Sequence, residues 1–175
     1  NVEIRVEDAK TYKEVYKDFG EMLFTHFGVS GPMILSASSH MRNMEKGRYT
    51  IHIDFKPALS YEQLDKRIQR DLLECSNKNL YNTLALMLPR KMIPIVVKLS
   101  GLNGNIKSNQ VTKEMRSQLV DLLKDIRLTV NDFRPIEEAI ITSGGVSVSE
   151  IDPKTMESKL VNGLYFAGEV LDLDA

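Results

Sequence analysis

Apolar and polar residues alternate with a period of two at the start of this chain and again well past its middle. Between the two stretches the period lengthens to that of a helix. Val2, Ile4 and Val6 alternate with Glu3, Arg5 and Glu7, the pattern of a strand with one face in a core. Residues 14–17 and 22–25 read as two further extended stretches, with Gly20 between them where a hairpin would turn. The loop of small residues at 26–32 follows. Pro32 suits the first turn of a helix, with Ser30 or Gly31 as its cap, and Met33, Ile34, Leu35 and Ala37 carry that helix to about Met44. Ile51, Ile53 and Phe55 then alternate with His52, Asp54 and Lys56, a strand whose polar face carries His52 as a surface residue.

At Ser60 the period changes. Ser60 and Gln63 have the spacing of a capping box, and Tyr61, Leu64, Ile68, Leu72 and Cys75 fall on one helical stripe. A second helix is expected over 80–88, a short apolar third one opening at Pro94, and a fourth from about Thr112 with Met115, Leu119, Leu122 and Ile126 on its stripe. The strand period returns at Leu128 and Val130, and further strands are expected at 138–142, 146–148 and about 156–160. The pattern predicts an α+β fold, a mainly antiparallel β-barrel or sheet with an inserted helical subdomain. Residues 1–57 and 127–160 form its strand-rich body and 58–126 the insert. Residues 161–175 read as a turn, a short buried strand and a Gly168-Glu169 corner. The chain begins with Asn1 and stops just after that corner, so it reads as a piece of a larger enzyme.

Composition changes this picture little. The chain has 175 residues, 42% hydrophobic and 27% charged, an ordinary globular balance. Its net charge of −1 predicts no nucleic-acid partner, and no apolar run approaches membrane-spanning length, so no membrane partner is expected and the cytoplasm is the expected location. The charge is unevenly spread: residues 56–126 hold 12 Lys/Arg against 7 Asp/Glu, and the rest 11 against 17. A solvated helix surface explains that bias; the alternative is a stand-alone binding module with a basic helical face for an anionic partner. The single cysteine, Cys75, rules out an internal disulfide, and its place on an apolar stripe makes it a small buried hydrophobe rather than a nucleophile.

Three small-residue turns are the candidates for chemistry: residues 25–32, residues 142–146 and the Gly168-Glu169 corner. Each would let backbone approach a flat ligand. Singly each is a weak signal, since a Gly-Gly pair is more often a plain turn. The helix opening after Ser30 and Gly31 presents free amides to a phosphate or another anion. His26, beside that loop, is a candidate proton donor or a structural histidine; His40 and His52 read as surface residues. His26, His40 and His52 show no metal-ligand spacing with carboxylates, so no metal is expected. Neither a Rossmann nor a P-loop glycine fingerprint is present, so the chain does not bind a dinucleotide alone by the usual device.

Residues 20–32, 141–146 and 155–159 followed by 163–172 resemble, in order, three signatures of the YhiN-like (BaiN/RdsA, aminoacetone-oxidase-like) family of NAD(P)/FAD-dependent flavoproteins. The resemblance covers nearly the whole chain. It implies a parent oxidoreductase with a Rossmann FAD domain into which this region is inserted as a β-barrel with a helical subdomain, acting as roof over the flavin and substrate. It implies FAD in the parent, NAD(P)H as electron donor and a small-molecule substrate. Ser30, Gly31, Thr142, Gly144, Gly145, Gly168, Glu169 and Asp172 would contact the cofactor, and His26 would be catalytic. The family's Gly-rich continuation and N-terminal fingerprint are missing here, so the resemblance implies that this stretch alone is inactive and does not hold FAD.

Overall fold

Strand β1 (Val2–Asp8) follows its alternation: Ile4 and Val6 are fully buried, while Glu3, Arg5 and Glu7 lie on the opposite face. The computed structural model describes residues 1–139 and 144–172. They fall into two units, Asn1–Asp132 and Phe133–Ala175. In the first, β1 pairs antiparallel with β2 (Lys13–Gly20) on one side. A short ribbon, β3 (Leu23–Phe24) with β4 (Val29–Ser30), leads into helix α1 (Pro32–His40). Strand β5 (Tyr49–Asp54) pairs with the other side of β1. The sheet is antiparallel throughout, and among the described residues it is open.

The helical block follows. It consists of α2 (Tyr61–Glu74), α3 (Leu80–Leu84), α4 (Ile93–Ser100) and α5 (Lys113–Lys124), and β6 (Ile126–Thr129) then returns to the free edge of β5. The sheet order is therefore β2-β1-β5-β6, with the whole helical block inserted between two neighbouring strands. The register places Ile4 opposite Ile53 and Ile53 opposite Ile126, so one face is a continuous apolar row that α1 covers with Met33, Ile34 and Ala37. A second core lies within the helices, built on Leu64, Ile68, Leu80, Leu84, Leu119 and Leu123. Leu122 packs against both cores.

The helix ends are set by local chemistry. The capping box at α2 forms in both directions: the Gln63 amide donates to Ser60 Oγ at 3.2 Å, and the Ser60 amide to Gln63 Oε1 at 2.9 Å. Thr112 caps α5 through the Met115 amide, at 3.3 Å. Cys75 is buried at the end of α2, as its stripe predicts, whereas Tyr61 at the start is exposed, with the Lys124 ammonium 5.7 Å from its ring centre.

Four expectations are corrected. Gly20 turns no hairpin: β2 runs through it and pairs with β1, and the ribbon partner of residues 23–24 is 29–30. Helix α1 stops at His40 rather than Met44. There Ser38 and Ser39 turn their hydroxyls back onto the carbonyls of Leu35 and Ser36, at 2.7 and 2.8 Å, which competes with the helical ladder. The expected helix over 80–88 holds α-geometry only to Leu84 and continues as turns to Leu88. Beyond residue 132 no strand forms among the described residues, and the strand expected at 138–142 falls mostly outside them. The 136–138 and 148–150 stretches are 3₁₀ turns, and pairing is limited to isolated bridges such as Ile151 with Ser158 and Glu157 with Tyr165. The apolar residues there are too short a run, and too interrupted by Gly, Pro and Ser, to build a ladder.

Candidate functional site

In the second unit two of the three small-residue turns meet. The Val146 amide donates to Val170 O at 2.8 Å, and the Asp172 amide donates to Val146 O at 2.9 Å, a parallel bridge between Val146 and Leu171. Gly145 makes this approach possible. A Cβ at that position would stand 2.5 Å from Val170 O and 2.9 Å from Leu171 C, and its φ of +155° further disfavours a side chain. Gly144 and Gly168 have positive φ too, but nothing lies within 4 Å of where their Cβ atoms would be. They are bare backbone on the same paired segments. Glu169 and Asp172 are exposed beside them, while Leu171 is buried. Thr142 lies outside the described residues. The expected buried strand before the corner is not one: Leu164, Tyr165 and Val170 are exposed, because each neighbouring segment contributes a single bridge and no ladder.

The remaining candidates belong to the first unit. Gly31 precedes α1 at φ +102°, and a Cβ there would press on the backbone of Met22 and Leu23 at 3.2 and 3.3 Å. Its carbonyl accepts the Ile34 and Leu35 amides, both at 3.0 Å, and no side chain caps the helix and no acid stands in its first turn. Pro32 itself brings no N–H. Ser30 is half-buried in β4, paired with Leu23. His26 is exposed in the turn between β3 and β4, its ring edge-on to Phe27 at 5.1 Å, and the turn is closed by the Thr25 amide on Gly28 O at 2.8 Å.

Sequence reasoning missed one polar cluster. His52 lies on the polar face of β5, as its alternation says, yet it is buried. Its cross-strand neighbours Arg5 and Arg127 flank it, and Asp125, at the end of α5, reaches Nδ1 at 2.6 Å. That distance to a carboxylate puts the proton on Nδ1, so the 3.1 Å approach of Arg5 Nη2 to the same atom is a contact and not a hydrogen bond. Burial alone would raise the Asp125 carboxyl, but hydrogen bonds from His52 and Arg127 outweigh it and hold it below its ordinary value. Beside this cluster a cleft of about 220 Å³ is lined by Glu3, Arg5, Asp54, Tyr61 and Lys124. Lys124 pairs with Asp54 and donates to Leu59 O at 2.7 Å and Lys56 O at 3.2 Å, stapling the last turn of α5 to the sheet. The cluster's charges satisfy one another, so it reads as the joint between helical block and sheet. Only a link between residues 52 and 125, which no local pattern carries, would have revealed it.

The open antiparallel sheet, the helical block inserted between β5 and β6, and the glycine-mediated pairing of residues 144–146 with 168–172 together define a recognisable class. The chain belongs to the HI0933-like family, whose barrel and H2TH domain model matches residues 1–141. It is similar to the 3-dehydro-bile acid delta(4,6)-reductase of Clostridium scindens, 29% identical over 160 residues. It is also similar to the ribosomal RNA dihydrouridine synthases of Haemophilus influenzae, 32% identical over 155 residues, and Escherichia coli, 31% identical over 170. These alignments cover 89–97% of this chain but only 37–39% of the relatives' own lengths. By name these relatives are a reductase and two dihydrouridine synthases, and this chain corresponds to part of them.

Proposed function

We propose that these residues form the insert domain of an FAD-dependent NAD(P)H oxidoreductase, roofing the flavin and shaping substrate entry, with activity belonging to the parent protein. The pairing of the Gly144-Gly145 turn with the Gly168–Asp172 corner carries this reading. It leaves the backbones of Gly144 and Gly168 bare next to the exposed carboxylates of Glu169 and Asp172, a fit for a flat ring and a hydroxylated chain. Thr142 is proposed as a further cofactor contact. Leu160 at 72% exposure and Tyr165 at 60%, with Val161 and Val170, are large apolar side chains left exposed in this unit, as an unmet cover would leave them. The Rossmann FAD domain of the same parent chain is the proposed cover. In the first unit, taken by itself, the uncapped start of α1 at Ser30 and Gly31 suits a negatively charged group, and both residues are proposed as cofactor contacts.

Flavin supplies two-electron hydride chemistry when bound. A delta(4,6)-reductase and a dihydrouridine synthase both add two hydrogens across a carbon–carbon double bond, and reduction of such a bond beside a carbonyl is the reaction class we assign to the parent. The electron pair comes from NAD(P)H, and one carbon must also receive a proton. His26, exposed beside Phe27, is the side chain proposed to deliver it. A small conjugated substrate and a cytoplasmic location accompany this reading.

The test is made on the full parent protein. It should purify yellow and oxidise NAD(P)H, and His26→Ala should lower kcat and flatten the pH–rate profile with bound flavin unchanged. A parent that neither holds nor takes up FAD would overturn the reading, and an unchanged profile in His26→Ala would remove His26 from the chemistry.

A further inference from the structure

The chain has two Asn-Gly pairs, Asn103-Gly104 and Asn162-Gly163, and the fold treats them in opposite ways. In such a pair the glycine amide nitrogen can attack the asparagine side-chain carbonyl, because no Cβ obstructs the five-membered ring that forms. Two things decide the reaction: whether the side chain is free to turn onto that nitrogen, and whether a base stands ready to take its proton.

The first pair has neither. Asn103 Oδ1 accepts the Asn105 amide at 3.0 Å, which ties the side chain along its loop, and Asn103 O accepts the Ile106 amide at 3.0 Å. Gly104 is buried against the Tyr81 ring, so closely that a Cβ would overlap it, and its carbonyl accepts the Tyr81 amide at 3.1 Å. No carboxylate is hydrogen-bonded to the Gly104 amide among the described residues.

The second pair has both. Asn162 and Gly163 are exposed at the tip of a turn closed by the Leu164 amide on Val161 O at 3.4 Å. Gly163 takes φ +75°, as the third residue of a type II turn does, and nothing lies within 4 Å of where its Cβ would be. No hydrogen bond holds the Asn162 side chain among the described residues. The frame below the tip is firm. Ser158 Oγ accepts the Leu160 and Val161 amides at 3.1 and 3.2 Å, and the Ser158 amide donates to Leu164 O at 2.7 Å. From that frame Glu157 reaches back, and its Oε1 accepts the Gly163 amide at 2.6 Å. A carboxylate therefore already holds the proton that the attack must remove, within the reach that general-base catalysis requires.

The geometry points to Asn162-Gly163 as a self-modification site, with Glu157 as its general base. Glu157 takes the Gly163 amide proton as the nitrogen bonds to Asn162 Cγ. The Cγ–Nδ2 bond breaks, and ammonia leaves with the proton that Glu157 returns. Water then opens the cyclic imide: cleavage at Cγ leaves aspartate, and cleavage at the main-chain carbonyl of residue 162 leaves isoaspartate, whose backbone is longer by a methylene. No electrons change hands. Either product adds a negative charge near Glu157, and the longer backbone strains the Ser158–Leu164 hydrogen bond. The reaction needs only residues 157–163 and water, so it stands whether or not the oxidoreductase reading holds.

The experiment incubates the full protein for days at neutral pH and maps its peptides by mass spectrometry. Replacement of NH by O in the residue mass marks conversion, and chromatographic separation of the two product peptides marks isoaspartate. In the folded protein Asn162 should convert about tenfold faster than Asn103, whereas in urea, where both pairs are free, the two rates should be similar. Glu157→Gln keeps an acceptor for the Gly163 amide but supplies no base, and should slow conversion of Asn162 by about threefold or more with Asn103 unchanged. An Asn162 that stays intact while the urea sample converts, equal rates at the two pairs in the folded protein, or an unaltered Asn162 rate in Glu157→Gln would overturn the proposal.

Discussion

His52 Nδ1 lies 2.6 Å from Asp125 Oδ1, so a buried histidine on the polar face of the sheet is tied to the residue that ends α5 and leads into β6. Removing the carboxylate leaves the buried imidazole N–H without its acceptor. Asp125→Ala should destabilise the protein by ~1–3 kcal/mol, and Asp125→Asn, which keeps an acceptor, by less. Urea unfolding at neutral pH measures both.

The same pair makes a pH-dependent contribution with a definite sign. Asp125 is held below the ordinary aspartate value of 3.8, its hydrogen bonds outweighing its burial. A carboxyl with a depressed folded value adds stability above its unfolded value, and that stability disappears as pH falls through the folded one. The stability gap between wild type and Asp125→Asn should therefore be full above about pH 5 and shrink steadily as pH drops below 3.8. A gap that widened on acidification would contradict the assignment.

Gly144 and Gly145 are neighbours with different reasons to be glycine. Gly145→Ala would place a methyl 2.5 Å from Val170 O and should break both hydrogen bonds of Val146. Gly144→Ala meets no atom and should cost only backbone strain, ~1 kcal/mol. Hydrogen exchange reads the contrast directly: the Val146 and Asp172 amides should lose protection in Gly145→Ala and largely keep it in Gly144→Ala.

The helical block depends on its first capping box and its central leucines. Ser60→Ala should cost ~1 kcal/mol through the lost cap on the Gln63 amide. Leu119→Ala, at a fully buried position, should cost ~2–5 kcal/mol, the range set by how far the four helices can close over the cavity. Thermal or urea unfolding ranks the two, and equal effects would mean that the helical core is not packed as described.

Period and capping chemistry were legible from residues alone because they act within a few positions of the chain. The alternation at Val2–Val6 and Ile51–Phe55, the Ser60–Gln63 box and the Thr112 cap all needed only near neighbours. The glycine pairs also announced themselves as places where backbone could come close. Other questions required partners far away in sequence. Only the tertiary structure decided that residues 13–20 pair with β1 instead of folding back on 22–25, because cross-strand register is a contest among distant edges. It alone showed that Gly145 serves an approach of backbone to backbone at Val170, and that His52 is covered rather than wet. It also brought Asn79 opposite Lys107, a pairing that sequence separation had hidden. Local patterns specify which face a side chain takes; what then covers that face depends on contacts that fold topology alone creates.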